Sequence, residues 1–163
     1  MKSKKLKVPK VDRSSIKVKS SEIHGKGVFA ADPIKKGGVI IEYKGERISW
    51  KLAEKRHPHD PKDPNHTFYF SLEDGRVIDA KYGGNAARWI NHSCKPNCET
   101  REDVFNGKPR VFVYAKRDLK IGEELFYDYS LGVEGKVTKQ MKKDYECRCG
   151  AKKCRGTMLA LDN

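Results

Sequence analysis

Short runs of apolar residues recur along the chain and stop at turns containing Gly, Pro or Asn. The runs "SIKVKSSEI", "GVFAA", "VIIEY", "TFYFSLEDGRVIDA", "RVFVYAK" and "ELFYDYS" are rich in Val, Ile, Phe and Tyr, residues that suit pleated, partly buried strands. Glu73-Asp74-Gly75 reads as a hairpin turn between Phe68–Leu72 and Arg76–Asp79. A helix is predicted to begin at Ser49, the N-cap, and to run to about Arg56, where "HPHDPKDPN" must be a proline-broken loop. A second short helix is predicted near Asn85, whose side chain caps "AARWIN", and a third over Thr138 to Asp144. The pattern implies a mostly β fold with short helices, not an alternating β/α one.

At 163 residues without an internal repeat, the chain is about one domain's worth. No apolar run approaches the roughly 18 residues of a membrane span, and "MKSKKLKVPK" lacks the apolar core of a secretory signal. A soluble, intracellular protein with no membrane partner is expected. The net charge of +13 is uneven. Residues 1–19 carry eight Lys/Arg against one acid, and residues 136–163 carry eight against three. The stretch between them carries nineteen against eighteen and is nearly neutral. Basic ends suggest contact with a polyanion such as nucleic acid, and the plainer alternative is a solvated tail.

Five cysteines cannot all pair with one another, and three crowd together as Cys147-x-Cys149-x4-Cys154. Three soft ligands around a glycine are one short of a closed tetrahedral zinc site. No histidine lies near this trio, so a fourth ligand would come from "RWINHSCKPNC", as Cys94 or Cys98. A disulfide framework is disfavoured by this crowding, which points to metal.

Four segments in order, "HGKGVFA", "GGNAARWINHSCKPNC", "GEELFYDY" and "CRCGAKKCRG", closely resemble the SET-domain family of protein-lysine methyltransferases with a post-SET zinc segment. The resemblance runs from about residue 14 to 160 and is to a compact, stand-alone form. It implies a SET fold of small β-sheets with short helices, in which the Asn-His-Ser-Cys segment and the C-terminal strand form a pseudoknot. It divides the chain into a basic tail (1–13), a SET domain (14–135) and a post-SET segment (136–163). The family takes its zinc ligand from the cysteine directly after Asn-His-Ser. The implied set is therefore Cys94, Cys147, Cys149 and Cys154, with Cys98 a small buried residue.

The same resemblance implies S-adenosylmethionine as cofactor and a lysine side chain of a basic, histone or histone-like protein as acceptor. Such a transfer is an in-line displacement in which positioning carries most of the catalysis. The amine must arrive neutral although free lysine has a pKa of about 10.4, so the site must desolvate it. Tyr43, Phe68, Tyr127 and Tyr129 match the positions that line the family's lysine channel, with Tyr43, Tyr127 and Tyr129 as the catalytic set. His24, Gly25, Lys26, Gly27, Arg88, Asn91 and His92 match its cofactor contacts, Asn91 holding the methionine end and the His92 backbone the adenine. Tyr127 in place of Phe implies mainly mono- or dimethylation.

Two features depart from the family pattern. No cysteine-rich segment precedes the SET region, and Phe126 stands where many members have Thr. The competing reading is a catalytically silent, zinc-stabilised basic module that binds nucleic acid or chromatin. A basic enzyme should repel a basic substrate, and an acidic groove built from Glu42, Glu46, Glu73 and Asp74 is the expected remedy.

Overall fold

The computed structural model describes residues 7–22, 25–56, 68–129, 139, 152, 154, 155 and 157. The first elements are β1 (Ile16–Ser20), β2 (Lys26–Ala30), β3 (Val39–Glu42), β4 (Glu46–Ile48) and helix α1 (Trp50–Arg56). They are followed by β5 (Tyr69–Ser71), β6 (Val77–Asp79), β7 (Asn91–His92), β8 (Cys98–Phe105), β9 (Lys108–Ala115) and β10 (Phe126–Tyr127). Two three-residue and four-residue 3-10 turns, Arg13–Ser15 and Ala86–Trp89, complete the described elements.

Local signals act as the sequence predicts. Ser49 caps α1, its Oγ accepting the Leu52 amide at 3.1 Å, which satisfies one of the unpaired donors at a helix start. Asn85 caps Ala86–Trp89 by accepting the Ala87 amide at 3.2 Å, although the segment closes as a 3-10 turn rather than an α-helix. The Glu73–Gly75 turn joins β5 to β6 with Gly75 at φ +88°. The expected helix over Thr138–Asp144 and the "HPHDPKDPN" loop lie outside the described residues.

Four small sheets form among the described residues: β1-β2, β3-β9-β8, β4-β6-β5 and β7-β10. Their inner faces share one core, with Val28, Ile40, Ile78, Ile90, Val111, Val113, Leu119 and Leu125 almost fully buried. A smaller cluster of Ile48, Ala53 and Val77 seats α1 on the outer face of β4-β6-β5. The longest pairing, β8 with β9, turns at Asn106 (φ +50°) and Gly107 (φ +78°). Sequence reading missed β8 because "CETREDVF" is too polar to stand out. The Asn-Gly step that follows it is the signal that reveals the hairpin.

One pairing differs in kind. β7 and β10 run parallel, with Phe126 beside Asn91 and Tyr127 beside His92. Parallel neighbours need a long connection, and residues 93–125, containing the β8-β9 hairpin, supply it. The C-terminal part of the expected pseudoknot falls largely outside the described residues. No helix among those residues is long and apolar enough to cross a membrane.

Candidate active site

The parallel pair builds the site from two distant stretches. Asn97 pins β10 in place, its Nδ2 donating to the Glu124 carbonyl at 2.8 Å while its Oδ1 accepts the Phe126 amide at 2.8 Å. Asn91 is buried, and its Nδ2 donates to the Lys26 carbonyl at 2.9 Å and to Glu124 Oε2 at 3.0 Å. Both amide hydrogens of Asn91 are thus engaged by the protein. Ser21 Oγ also donates to the Glu124 carboxylate, at 2.8 Å. Glu124 therefore ties the Gly25–Gly27 turn to β7. A Cβ on residue 27 would lie 2.9 Å from the Glu124 carboxyl carbon, so any larger residue there would have to displace the Glu124 side chain. His24 lies outside the described residues.

His92 is held by its ring. The Tyr129 amide donates to His92 Nδ1 at 3.0 Å, which makes Nδ1 an acceptor and puts the proton of the neutral ring on Nε2. Burial lowers the His92 pKa to about 4, in keeping with a neutral imidazole. Nε2 then faces Cys94 Sγ at 3.5 Å.

The aromatic positions gather. Tyr127 and Tyr129 have ring centroids 4.9 Å apart, and Tyr43 follows directly on β3. Phe70 sits between Tyr43 (5.3 Å) and Tyr127 (6.5 Å). Phe68 packs against Trp89 at 5.4 Å. Phe70 went unnoticed in the sequence, although its spacing of two from Phe68 puts both on one strand face. Burial, with the neighbouring Tyr127 and Tyr129 adding to it, holds the Tyr43 phenol well above its ordinary pKa, and burial does the same for Tyr127. Both stay protonated at neutral pH. Tyr129 donates its hydroxyl proton to the Ile90 carbonyl, so the face it gives the cluster is an oxygen acceptor.

Beside this cluster stands a cationic edge. Lys26 Nζ lies 4.8 Å from the Trp89 ring centroid and the Arg88 guanidinium carbon 4.7 Å. Arg88 Nη1 donates to the Ala80 carbonyl at 3.4 Å, while its buried Nε has no hydrogen-bond acceptor. A buried guanidinium N–H without an acceptor is costly, and an anionic group would relieve it.

The described cysteines separate into two kinds. Cys98 is 1% exposed on β8. Cys94 and Cys154 bring their sulfurs to 3.9 Å, and the Arg155 amide points at Cys94 Sγ at 3.3 Å. Arg155 in turn grips Asp128, between the two tyrosines, through two bonds of 2.9 Å. Cys147 and Cys149 lie outside the described residues, and no metal-binding group of three or more side chains occurs among those described.

The expected acidic groove is not there as free charge. Glu42 is buried against Arg110 in a two-pronged pair of 2.8 and 2.6 Å. Glu46 pairs with Arg56 at 2.9 Å and Asp74 with Arg76 at 2.7 Å. Three of the four carboxylates are neutralised by arginines, two of which come from other elements.

Comparison with known proteins agrees with this arrangement. A family model described as SET domain matches residues 25–130. The chain is 37% identical over 147 residues to histone-lysine N-methyltransferase set1 of Dictyostelium discoideum, covering 90% of this chain and 9% of that protein. It is 38% identical over 146 residues to histone-lysine N-methyltransferase 2B of Homo sapiens, covering 90% of this chain and 5% of that protein. With histone-lysine N-methyltransferase trr of Drosophila melanogaster the identity is 38%, over 90% of this chain and 6% of that protein. The chain thus spans less than a tenth of the length of these curated relatives. It belongs to the SET-domain family.

The burial of Cys98 has a measurable consequence. Burial raises its thiol pKa to about 12, so the native protein holds it protonated and unreactive at neutral pH. Because the folded value lies above the ordinary one, its contribution to stability is present below the ordinary thiol pKa and is lost as pH rises through about 12. Iodoacetamide at about pH 8 should leave the Cys98 peptide unmodified by mass spectrometry until denaturant is added. Labelling of native Cys98 at the rate of a free thiol would contradict this burial.

Proposed function

We propose that the chain is a protein-lysine N-methyltransferase that uses S-adenosylmethionine and acts on a lysine of a basic protein, histone or histone-like. The observation that carries the reading is the β7-β10 register, which sets Asn91 beside Phe126 and His92 beside Tyr127, in an aromatic cluster with Tyr129, Phe70 and Tyr43. The names of the relatives, all histone-lysine N-methyltransferases, support the substrate class. An intracellular, chromatin-associated site of action goes with it.

The residues present fit the cofactor. Gly25 and Gly27 allow close backbone approach, Asn91 is held beside them on β7 by its bond to Lys26, and the unmatched Arg88 Nε beside Lys26 suits the carboxylate of an amino-acid end. When bound, the cofactor supplies an electrophilic methyl group on a sulfonium. The chain's own part is to present the amine. Tyr129, its proton given to Ile90, accepts an N–H of the lysine amine and so aims the lone pair. Tyr43, Phe70 and Tyr127 surround the alkyl chain and exclude water, which disfavours the charged ammonium. The protonated tyrosines and the engaged His92 ring are not bases at neutral pH. Desolvation therefore lowers the pKa of the lysine ammonium, its proton passes to solvent water before the transfer, and positioning does the rest.

The cysteines fit a structural zinc. Two thiolates about 2.3 Å from one tetrahedral ion lie about 3.8 Å apart, and Cys94 and Cys154 are at 3.9 Å. Cys147 and Cys149 complete the proposed set and anchor residues 136–163. Zinc would hold the Arg155 grip on Asp128, and with it the two tyrosines.

Mass spectrometry of a lysine-rich protein incubated with enzyme and cofactor tests the transfer. The native chain should yield mainly mono- and dimethyl-lysine. Tyr127→Phe should shift the product towards trimethyl-lysine with total turnover kept, because the bulk of the hydroxyl restricts rotation of the methylated amine. Tyr129→Phe should lose most activity. No transfer by the native chain, or full activity in Tyr129→Phe, would sink the reading.

Elemental analysis of protein purified without chelator should find one zinc per chain, unchanged in Cys98→Ser and reduced in Cys94→Ser. Absence of zinc from the native protein would remove the metal from this account.

A further inference from the structure

Among the described residues, the near-neutral middle of the chain is not neutral everywhere. Two loops, one before β3 and one after β9, are knitted together at Ile34 and Leu119 by backbone bonds of 3.0 and 2.7 Å. The Gly37 amide donates to the Ala115 carbonyl at 2.8 Å and the Lys116 amide to the Asn97 carbonyl at 2.9 Å, which draws in the turn carrying Lys95. Lys35, Lys36, Lys95, Lys116 and Lys120 are all exposed on this one end of the molecule.

On these two loops the carboxylates Asp32, Asp118 and Glu123 are outnumbered by the lysines. Asp118 accepts the Lys36 amide at 2.8 Å, and Glu123 pairs with Arg117 at 2.9 Å. None of the five lysine ammonium groups has a carboxylate partner among the described residues. Protein-binding faces are built on aromatic, Met and Arg anchors and are poor in lysine. This face has five lysines and a single large apolar residue, Ile121, at 65% exposed. Compact ammonium charges on flexible stems suit the evenly spaced phosphates of a nucleic-acid backbone, which need charge without planar matching.

We propose that the Ile34 and Leu119 loops form a docking surface for duplex DNA, bound through its phosphates without sequence preference. The inference goes beyond the methyl-transfer reading and rests on it in one respect. Arginine pairing of Glu42, Glu46 and Asp74 reduces the negative charge that would draw in a basic substrate. A basic substrate that travels on DNA removes the conflict, since the enzyme is attracted to the polyanion carrying its target.

Fluorescence anisotropy of the full chain with a labelled duplex of about 24 base pairs, at salt from about 50 to 200 mM, tests the surface. The variant with Lys35, Lys36, Lys116 and Lys120 all changed to Ala should lose at least about tenfold in affinity, and its log–log salt slope should flatten by about three. A charge-matched control, with Lys44, Lys51, Lys55 and Lys108 changed to Ala, should stay within about twofold of native. Both should keep native thermal melting. The proposal is overturned if native protein does not bind the duplex, if the loop variant binds like native, or if the control loses as much. Equally tight binding of polyglutamate would also overturn it, because the partner would then be any polyanion. DNA binding needs no cofactor, so a protein that binds DNA but transfers no methyl group would defeat the enzymatic reading alone.

Discussion

Two residue pairs, Asn91 beside Phe126 and His92 beside Tyr127, hold the rest of the site in relation. A parallel pairing this short cannot stand by itself, and its stability comes from what locks it on either side. Asn97 satisfies a donor and an acceptor at the start of β10, and the His92 ring takes the Tyr129 amide just beyond its end. The buried core under Ile90 and Leu125 keeps both strands in place. If the register slipped by one residue, Tyr127 would turn away from Tyr43 and Phe70, because successive strand side chains alternate faces.

From that pairing the other parts follow as attachments. Glu124, next to β10, reaches Asn91 and Ser21 and so fixes the Gly25–Gly27 turn. Asp128, between the tyrosines, reaches Arg155, adjacent to Cys154. The turn, the aromatic cluster and the cysteine pair thus meet on one short stretch of backbone. A change at Cys94 or Cys154 should therefore be felt in the tyrosines.

How much of this could be read from the sequence depends on how local each signal is. Ser49 and Asn85 cap the turns they precede, and Gly75 closes the hairpin that contains it, since each acts within three residues. β8 was missed because its charged residues hide the alternation, while the informative Asn106-Gly107 step lies just outside it. Phe70 went unread because sequence cannot say that a second aromatic residue two positions from Phe68 also reaches Tyr43. The neutralised Glu42 was unreadable for a stronger reason: its partner, Arg110, comes from a neighbouring strand far along the chain. The family resemblance singled out Asn91, His92 and Cys94. It did not supply the hydrogen bonds of Asn97, Glu124 and Arg155 that place them.

The central claim is that β7, positioned by β10, holds the cofactor beside the aromatic cluster. Calorimetric titration with S-adenosylmethionine, of the native chain and of Asn91→Ala, tests it most directly. The account predicts saturable one-to-one binding by the native protein, weakened in Asn91→Ala by the roughly 1–3 kcal/mol that follows loss of a buried polar partner. Unchanged affinity in that variant, or no binding by the native chain, would contradict it.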